Sequence, residues 1–444
     1  MPGAWQPPPL ERALGLEFYA TESPGAGGRL KFDPEDFRVE ESSQYPRPVE
    51  DGPYTVLRIV ARNWEQHELA RALAARLGLP PSAMAWAGTK DRRAVSEQLF
   101  SYRGDLPPPG FEPPPGVELG EAYRAERGLA LGHHFGNRFD VRVSGIPGPS
   151  EEAGARWEVA VRALREVGWF PNFFGLQRFG EVRPVTHEVG RALLRGHTEE
   201  AVEIYLARVL EGESTEGAAA RRAYAEHHDA ARALREFPPA YRFERTLLDH
   251  LARGHDASRA LGALPFELRR LFVHAYQSLL FNRVLSARVA RGLPLDRPVP
   301  GDRVVRVARD GTVPGRDPIP ASADNLEEVR TMVARGRAQL ALPLVGTATP
   351  ELEGVPGELL GAELAREQLH RGDFGLPRVP ELASEGTWRP AMVPLPPFEL
   401  AWEERPPSGG GSGSVRARFA LPKGAYATVL FRELLKTGAE RRPA

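Results

Sequence analysis

The 444-residue sequence contains no cysteine, only four lysines and no long apolar segment. Without cysteine the protein can form no disulfide, no thiolate metal site and no cysteine nucleophile. No apolar run approaches the roughly 20 residues that a membrane-spanning helix needs, and the N-terminus lacks a basic start followed by an apolar stretch. We therefore expect a cytoplasmic protein that does not contact a membrane. The sequence leaves the oligomeric state unknown, with a monomer favoured.

The basic residues are almost all arginine. The four lysines among the 58 basic residues are Lys31, Lys90, Lys423 and Lys436. The formal net charge of −1 excludes a uniformly basic nucleic-acid binder, so only a local basic patch could contact a phosphate backbone. Charge is segregated along the chain, with a net −6 over residues 350–405 and a net +5 from residue 414 to the end. The end of the chain is the predicted basic patch.

The pattern of apolar residues divides the chain into three parts. Residues 1–168 mix strand and helix patterns, and residues 137–143 alternate as a half-buried strand does. The middle is rich in helix patterns, which predict helices over 201–210, 218–237 and 265–291. Strand patterns return at 398–402 and 415–421, separated by the glycine- and serine-rich residues 408–414, a predicted flexible hairpin loop. The simplest architecture is one sheet-based domain built from both ends of the chain and interrupted by a helical insertion.

One short segment combines rare and charged residues. Residues 87–98, AGTKDRRAVSEQ, place Lys90, Asp91 and two arginines between a turn of small residues and an apolar run. Nearby cations favour the ionised form of an aspartate, which can then act as a nucleophile or base, while the cations can contact phosphate. The alternative is an aspartate that caps a helix inside a solvated charged turn.

Two further segments interleave aromatic residues with glycine and basic residues. They are residues 171–180, PNFFGLQRFG, and residues 421–428, LPKGAYAT. Such patterns suit base stacking and close approach of a nucleic-acid backbone, but packing of the rings at a domain junction would produce the same pattern.

The sequence shows no motif for a metal or a nucleotide cofactor. The adjacent histidine pairs at 133–134 and 227–228 would point apart in a regular strand or helix. The HExxH, P-loop and GxSxG patterns are missing, so we expect no metal, no cofactor and no serine hydrolase elbow.

Taken together, these segments resemble the tRNA pseudouridine synthase D (TruD) family. The motifs that carry the resemblance keep the family's order along most of the chain. They are KFDPEDFRVEE at 31–41, GTKDRRAVSEQ at 88–98, GNRF at 136–139, PNFFGLQRFG at 171–180, QSLLFN at 277–282 and LPKGAYAT at 421–428. Three of the four lysines lie within these motifs.

The resemblance implies an α+β pseudouridine synthase fold, with a twisted mixed sheet interrupted by a mainly helical α/β insertion, the TRUD domain. The catalytic domain would comprise residues 1–168 and 391–444, and the insertion residues 169–390. RNA would lie in the cleft between them.

The resemblance also implies that the protein isomerises uridine to pseudouridine in tRNA, with uridine 13 as the typical bacterial target, and needs no cofactor. Asp91 would be the catalytic residue, acting by attack on the ribose C1′ or by removal of the 2′ proton; the sequence does not choose. Residues expected to contact the target nucleotide are Phe37, Asn137, Phe139 and Tyr426, and supporting residues are Lys31, Glu41, Lys90, Gln177 and Arg178. Tyr426 departs from the family's phenylalanine by a hydroxyl that needs a partner or water.

The sequence leaves two other functions open. A non-catalytic RNA-binding protein could keep the same fold without using Asp91. An unrelated α/β hydrolase would require a second polar catalytic group facing Asp91.

Overall fold

A large mixed sheet forms the centre of the computed structural model. The structure describes residues 5–43, 46–148, 150–180, 182–210, 212–308, 311–315, 317–403, 413–438 and 440–441. The strands are β1 (Trp5–Gln6), β2 (Arg29–Leu30), β3 (Phe37–Ser42), β4 (Tyr54–Arg62), β5 (Ala85–Trp86), β6 (Val95–Arg103), β7 (Val117–Ala125), β8 (Gly136–Ser144), β9 (Trp169–Pro171), β10 (Arg303–Arg306), β11 (Ile319–Pro320), β12 (Ala338–Leu344), β13 (Thr387–Pro390), β14 (Met392–Pro394), β15 (Phe398–Glu403), β16 (Ser414–Pro422) and β17 (Glu440–Arg441).

Most of the helices lie between β9 and β13. The helices are α1 (Pro9–Ala13), α2 (Gln66–Arg76), α3 (Ser150–Val167), α4 (Thr186–Leu194), α5 (Thr198–Ala207), α6 (Thr215–His227), α7 (Ala230–Glu236), α8 (Arg242–Ala252), α9 (Ala257–Gly262), α10 (Phe266–Ala290), α11 (Leu326–Ala334), α12 (Gly354–Arg366) and α13 (Ala427–Leu435). Across the described ranges, no helix is both long enough and apolar enough to cross a bilayer.

The large sheet joins the two ends of the chain. Its strand order is β15-β16-β8-β3-β6-β4-β7, with β2 beside β8 and β5 beside β6. Strands β3 and β6 are parallel, and the other pairs in this sheet are antiparallel. Because β15 and β16 come from the last 50 residues, both ends of the chain contribute strands to this sheet.

Alternation along three central strands gives the sheet one apolar face. In β3, Phe37, Val39 and Glu41 are buried while Arg38 is exposed. On the neighbouring strands, Phe139 stacks on Phe419 with ring centroids 5.2 Å apart and meets Phe37 edge-on at 5.8 Å. Helices α3 and α13 add apolar side chains to the same hydrophobic core. This face therefore forms the packed side of the sheet.

The segment between β9 and β14 contains both helices and a small sheet. Strands β11, β10, β12 and β13 form an antiparallel sheet, and α10 packs against α4, α12 and β12. The strands by which the chain enters and leaves this segment, β9 and β14, pair with each other over Trp169–Pro171 and Met392–Pro394. The entry and exit of the segment are thereby held together beside the large sheet.

One predicted helix differs from the structure. The predicted helix over 218–237 is two helices, because His228 adopts a left-handed conformation (φ 48°) and Asp229 caps the next helix through the Arg232 amide. The second α-helix is capped by Glu65, which accepts a hydrogen bond from the Glu68 amide. Most of the predicted hairpin loop at 408–414 lies outside the described residues.

Candidate active site

Asp91 lies in the loop that connects β5 to β6. Strand β5 pairs with β6 at residues 100 and 101, whereas β3 pairs with the start of β6. The loop over residues 87–94 therefore returns along the side of β3 before β6 begins. The Asp91 side chain is 31% exposed, between two exposed arginines, Arg92 and Arg93, and a buried lysine. The alternative prediction of a helix-capping aspartate is wrong, because a strand follows this loop.

Lys31 holds the Asp91 carboxylate. Its ammonium lies 3.1 Å from Asp91 Oδ2 and 4.7 Å from the centre of the Phe37 ring. Lys31 directly follows β2 and has a left-handed backbone (φ 55°), a conformation that costs a side-chain-bearing residue roughly 1–2 kcal/mol. The Lys31 side chain is only 6% exposed, so one oxygen of Asp91 is fixed from the protein interior while the carboxylate stays accessible.

Lys90 and Glu41 form a second, fully buried ion pair beside Asp91. Lys90 Nζ donates to Glu41 Oε2 at 2.6 Å and to the Gly88 carbonyl at 3.2 Å. The side chains are 5% and 1% exposed. Burial lowers the pKa of Lys90 below its usual value, and the Glu41 carboxylate opposes that shift. Glutamate at an inward position of a strand is costly unless it is paired, which explains why Lys90 accompanies it.

Buried polar atoms without a partner concentrate around this ion pair. Within the described residues, eleven buried side-chain polar atoms have no hydrogen-bond partner, and five of them belong to Glu41, Gln66, Gln98, His134 and Asn137. Gln66 joins the group through its Oε1, which accepts from the Lys90 amide at 3.3 Å and from Gln98 Nε2 at 3.1 Å. Unsatisfied buried polar groups are rare in native proteins, so their clustering marks a functional site.

Asn137 contributes one of these atoms at the start of β8. It lies opposite Glu41 on β3 and opposite Leu421 on β16. Its Oδ1 is buried and accepts no hydrogen bond. An amide in this state can accept one hydrogen bond and donate others, so it can pair with the edge of a planar heterocycle.

His134 lies on the other side of Lys90. A Cβ atom added to Gly88 would lie 2.9 Å from His134 Cε1 and 3.0 Å from Lys90 Nζ. The His134 ring and the Lys90 ammonium therefore both lie against this glycine. Burial, with the Lys90 charge, lowers the pKa of His134 below its usual value. The His134 ring is therefore neutral at pH 7, and its unpartnered Nδ1 is among the atoms counted above.

The aromatic rings expected at the site differ in accessibility. Phe37 is 1% exposed and Phe139 is 9% exposed, because both pack in the core of the sheet. Phe37 therefore lacks the free ring face that stacking on a base requires, and it supports Lys31 instead. Tyr426, which precedes α13, is half-buried, and its hydroxyl makes no hydrogen bond to a described residue.

The residues of the 171–180 motif hold the two parts of the chain together. Phe173, Phe174 and Phe179 are at most 4% exposed, so the prediction of a packed junction is confirmed, whereas base stacking by these three rings is excluded. Gln177 Nε2 donates to Thr428 Oγ1 on α13 at 2.8 Å. Arg178 Nε donates to Ser278 Oγ on α10 at 3.1 Å.

Asn282 on α10 fixes the same junction from the insertion side. Its Nδ2 donates to the carbonyls of Leu14 and Phe174 at 3.0 Å, and its Oδ1 accepts from the Phe174 amide at 2.9 Å. All the polar atoms of one buried amide are thereby used to join α10 to two segments outside it.

The predicted basic patch at the end of the chain is largely neutralised inside the protein. Arg416 and Arg418 both pair with Asp140, and Arg432 pairs with Glu11 and Glu433. The Lys436 ammonium is buried against Thr21. Among the basic residues of this segment whose side chains the structure describes, only Lys423 is exposed without a carboxylate partner.

Open cavities also lie on the opposite face of the large sheet. One of about 330 Å³ is lined by Glu35, Arg38, Asp140, Arg142 and Arg416. A broader groove of about 640 Å³ continues along the same face. Most of these arginines already pair with carboxylates, and Asp91 lines neither cavity, so this face is not the reaction centre.

The structure adds residues that sequence reasoning missed. Gln66, Gln98 and His134 complete the surroundings of Lys90, and Arg389 packs near Tyr426 at 5.7 Å from its ring centre. His134 lies two residues before the GNRF motif, which was an available signal. Nothing distinguished Arg389 among so many arginines. Within the described ranges, no three His, Cys, Asp or Glu side chains converge as a metal-ion site would need.

Comparison with known proteins gives the family and the fold that this chain resembles. A family model described as "tRNA pseudouridine synthase D (TruD)" matches residues 13–434. A Halobacterium salinarum protein named probable tRNA pseudouridine synthase D is 40% identical, covering 96% of this chain and 98% of its own. A Thermococcus onnurineus protein of the same name is 36% identical, covering 94% and 97%. The crystal structure of a putative tRNA pseudouridine synthase D from Methanosarcina mazei matches with a TM-score of 0.76 at 31% identity, covering 96% and 97%.

The matched family model spans nearly all of the sequence, and the relatives align over nearly their full length. The α+β fold with its mixed sheet agrees with the structural match. The chain therefore belongs to the tRNA pseudouridine synthase D (TruD) family.

Proposed function

We propose that this protein converts uridine to pseudouridine in tRNA and that Asp91 is its catalytic residue. The observation that carries the proposal is the setting of Asp91: an accessible carboxylate, held at 3.1 Å by a buried lysine, in a chain of the TruD family. The names of the relatives, which call them tRNA pseudouridine synthases, support tRNA as the substrate.

The reaction needs one carboxylate and no net oxidation. The N1–C1′ bond of the nucleoside breaks, a C5–C1′ bond forms, the hydrogen on C5 leaves as a proton, and N1 takes up a proton. A carboxylate can form and release a bond to C1′, or it can accept the 2′ proton and return it. Lys31 and the Phe37 ring beneath it would keep Asp91 oriented in either route.

The two routes differ in whether the C2′–H bond breaks. Uridine that carries deuterium at C2′ should turn over with a primary isotope effect if Asp91 removes that proton. Direct attack on C1′ should give no primary effect.

Recognition of the base falls to Asn137 and Tyr426 in this proposal. The unpartnered Asn137 Oδ1 can accept the N3–H of uracil, and its amino group can donate to a uracil carbonyl. The half-buried Tyr426 ring offers one face to a base that has left its stack, a contact worth about 1–3 kcal/mol. Phe139 lies beside Asn137 in the core and would shape the floor of the pocket.

The buried pair of Glu41 and Lys90 would hold the loop that carries Asp91, while Gln177 and Arg178 would fix the wall between the domains. We propose domain boundaries at 168 and 391, which are supported by the pairing of β9 with β14 at these positions. The tRNA would then lie in the cleft between the catalytic domain and the inserted domain, with uridine 13 as the target.

The test is the variant Asp91→Asn, which keeps the size of the side chain and removes its charge. Release of tritium from tRNA labelled at uridine C5 measures formation of the C5–C1′ bond. We expect turnover to fall by at least about 10³-fold, as for loss of other catalytic nucleophiles, with tRNA affinity largely unchanged. Asp105→Asn is the matched control, since Asp105 is fully exposed and pairs only with Arg124.

Full activity of Asp91→Asn would refute the role of Asp91. A wild-type protein that binds tRNA and releases no tritium would instead identify a non-catalytic RNA-binding protein. Mapping of pseudouridine in tRNA from cells with and without this protein tests the target position.

A further inference from the structure

Arg389, on β13 of the inserted segment, is a buried arginine without a carboxylate partner. It is 8% exposed. Its Nε donates to the Asn172 carbonyl at 3.1 Å and its Nη2 to Asn172 Oδ1 at 2.6 Å. Neither acceptor carries a charge. No ion pair to Arg389 exists among the described residues, so its positive charge is not neutralised by the protein.

The other buried arginines behave differently. Arg221 pairs with Glu213 and Glu244, Arg288 pairs with Asp302 at 2.7 Å, and Arg432 pairs with Glu11. Burying a charge costs free energy, and an ion pair with a neighbouring residue recovers part of that cost. A protein that pairs its other buried arginines and leaves one unpaired has kept that charge for a purpose other than stability.

Aromatic rings hold the Arg389 guanidinium at the junction between the two parts of the chain. Its Cζ lies 4.0 Å from the ring centre of Phe174, 5.6 Å from that of Phe281 and 5.7 Å from that of Tyr426. Burial lowers the pKa of Arg389 to about 10, which leaves the group charged at pH 7. The ring faces stabilise this charge without neutralising it.

The remaining amino group of Arg389 is free. Nη1 donates to no described residue, and a Cβ atom added to Gly424 would lie 3.5 Å from it. Gly424 lies between Lys423 and Tyr426 and is exposed. Because glycine lacks a side chain, the approach to Nη1 from this turn is open. Lys423 is exposed there as a second cation without a carboxylate partner, its Nζ donating to the Gly132 carbonyl.

We propose that Arg389 and Lys423 bind a backbone phosphate of the RNA next to the flipped-out uridine. The phosphate is the counter-ion that Arg389 lacks among the described residues. It accepts a charge-assisted hydrogen bond from Arg389 Nη1. This inference rests on the proposed function, because it places the nucleotide against Tyr426. It gives the inserted domain a direct contact with the substrate at the reaction site.

The first experiment measures the salt dependence of tRNA binding. Each lost phosphate contact should reduce the slope of log affinity against log salt by about 0.7–0.9. Arg389→Met, which keeps the length of the side chain and removes its charge, should show this reduction and weaker binding. Arg291→Met is the matched control, because Arg291 is exposed and already pairs with Glu358 at 3.0 Å, and it should keep the wild-type slope.

The second experiment removes the charge from the RNA. Methylphosphonate linkages placed singly on either side of the target uridine should weaken wild-type binding about tenfold at one linkage, as loss of one charged contact does. The same linkage should cause a smaller loss in Arg389→Met, because only the Lys423 contact with that phosphate remains to be lost. Equal losses in both proteins at every linkage would overturn the proposal.

A third variant preserves every atom of Arg389. Asn172→Asp supplies the missing carboxylate at the position of Oδ1, so it should neutralise Arg389 in place and weaken tRNA binding with a smaller salt slope. Wild-type affinity and slope in this variant would contradict the inference even if Arg389→Met fails to fold.

Failure of this inference can be told apart from failure of the proposed function. Tritium release by the wild-type protein tests the proposed function, whereas the salt slopes of Arg389→Met and Arg291→Met test the phosphate contact. If the wild type releases tritium and the salt slopes do not change, only the phosphate assignment is wrong. If the wild type releases none, the enzyme assignment itself is wrong.

Discussion

The buried ion pair between Lys90 and Glu41 provides a direct test of how the loop that carries Asp91 is held. Glu41→Gln replaces the carboxylate by an amide of the same shape and leaves the Lys90 ammonium, 5% exposed, without a counter-ion. At an effective dielectric constant of about 20, two charges 2.6 Å apart attract by about 6 kcal/mol before desolvation is counted. Breaking one partner of a buried pair typically costs about 3–5 kcal/mol. We expect a loss of this size in the free energy of unfolding.

Urea unfolding at pH 7 measures the loss in the free energy of unfolding. Two further variants serve as comparisons. The double variant E41Q/K90M removes the buried charge as well, so it should be more stable than Glu41→Gln alone. The exposed pair of Glu35 and Arg62 is the control: their side chains are 39% and 54% exposed, so Glu35→Gln should cost less than about 1 kcal/mol.

The pH dependence of Glu41→Gln follows from the same pair. Glu41 raises the pKa of Lys90 against the effect of burial, so its removal lowers that pKa further. Once Lys90 in the folded variant has lost its proton, it no longer needs a counter-ion. Lys90 in the unfolded chain keeps its proton to higher pH, so the unfolded state then binds more protons than the folded state. The stability deficit should therefore shrink as pH rises from 7 toward 10. A loss below about 1 kcal/mol at pH 7, or a double variant less stable than Glu41→Gln, would refute the reasoning.

Two other predictions concern acid stability and the catalytic carboxylate. Burial lowers the pKa of both His187 and His274 from 6.5 to about 4, so the unfolded state binds protons first and each histidine should cost about 3 kcal/mol of stability between pH 6.5 and pH 4. Thermal unfolding across this range checks the loss, and His187→Phe should remove about half of it; an unchanged acid profile would contradict the assignment. Lys31→Met should leave tRNA affinity within about threefold and reduce tritium release about 100-fold, because it frees Asp91 from its anchor. Wild-type turnover in Lys31→Met would show that this ion pair does not position the carboxylate.

Local patterns predicted three strands of the large sheet and the long helix α10. Alternation of apolar residues in 137–143, 398–402 and 415–421 corresponds to β8, β15 and β16. On α10, Phe272, Tyr276 and Leu280 are buried at four-residue spacing, as the predicted helix requires. Such patterns succeed because burial on one face of a strand or helix imposes a period on the sequence itself.

The break between α6 and α7 was missed for a local reason. The apolar and alanine-rich pattern continues through His228 and Asp229, yet His228 takes up a left-handed conformation and ends α6. Non-glycine residues adopt this conformation rarely, so the sequence carried little warning.

The amino-acid sequence by itself determined the fold class, the family and Asp91 as the candidate catalytic residue. The fold class and the role of Asp91 are what the family resemblance implies, and the order of the motifs carries that resemblance. Which charges are paired was decided only by the tertiary structure. Lys90 lies next to Asp91 in the chain yet pairs with Glu41, Lys31 reaches Asp91 from 60 positions away, and the basic end of the chain is neutralised by Asp140 and Glu11.

The unpaired charge of Arg389 was likewise invisible before the chain folded. Arg389 donates its hydrogen bonds to Asn172, which lies 217 residues away in the sequence. In a sequence with this many arginines, no local feature distinguishes Arg389 from the others. The physical reason is the same in each case. Pairing and burial depend on distances between residues that are remote in sequence, and those distances exist only once the sheet has closed around both ends of the chain.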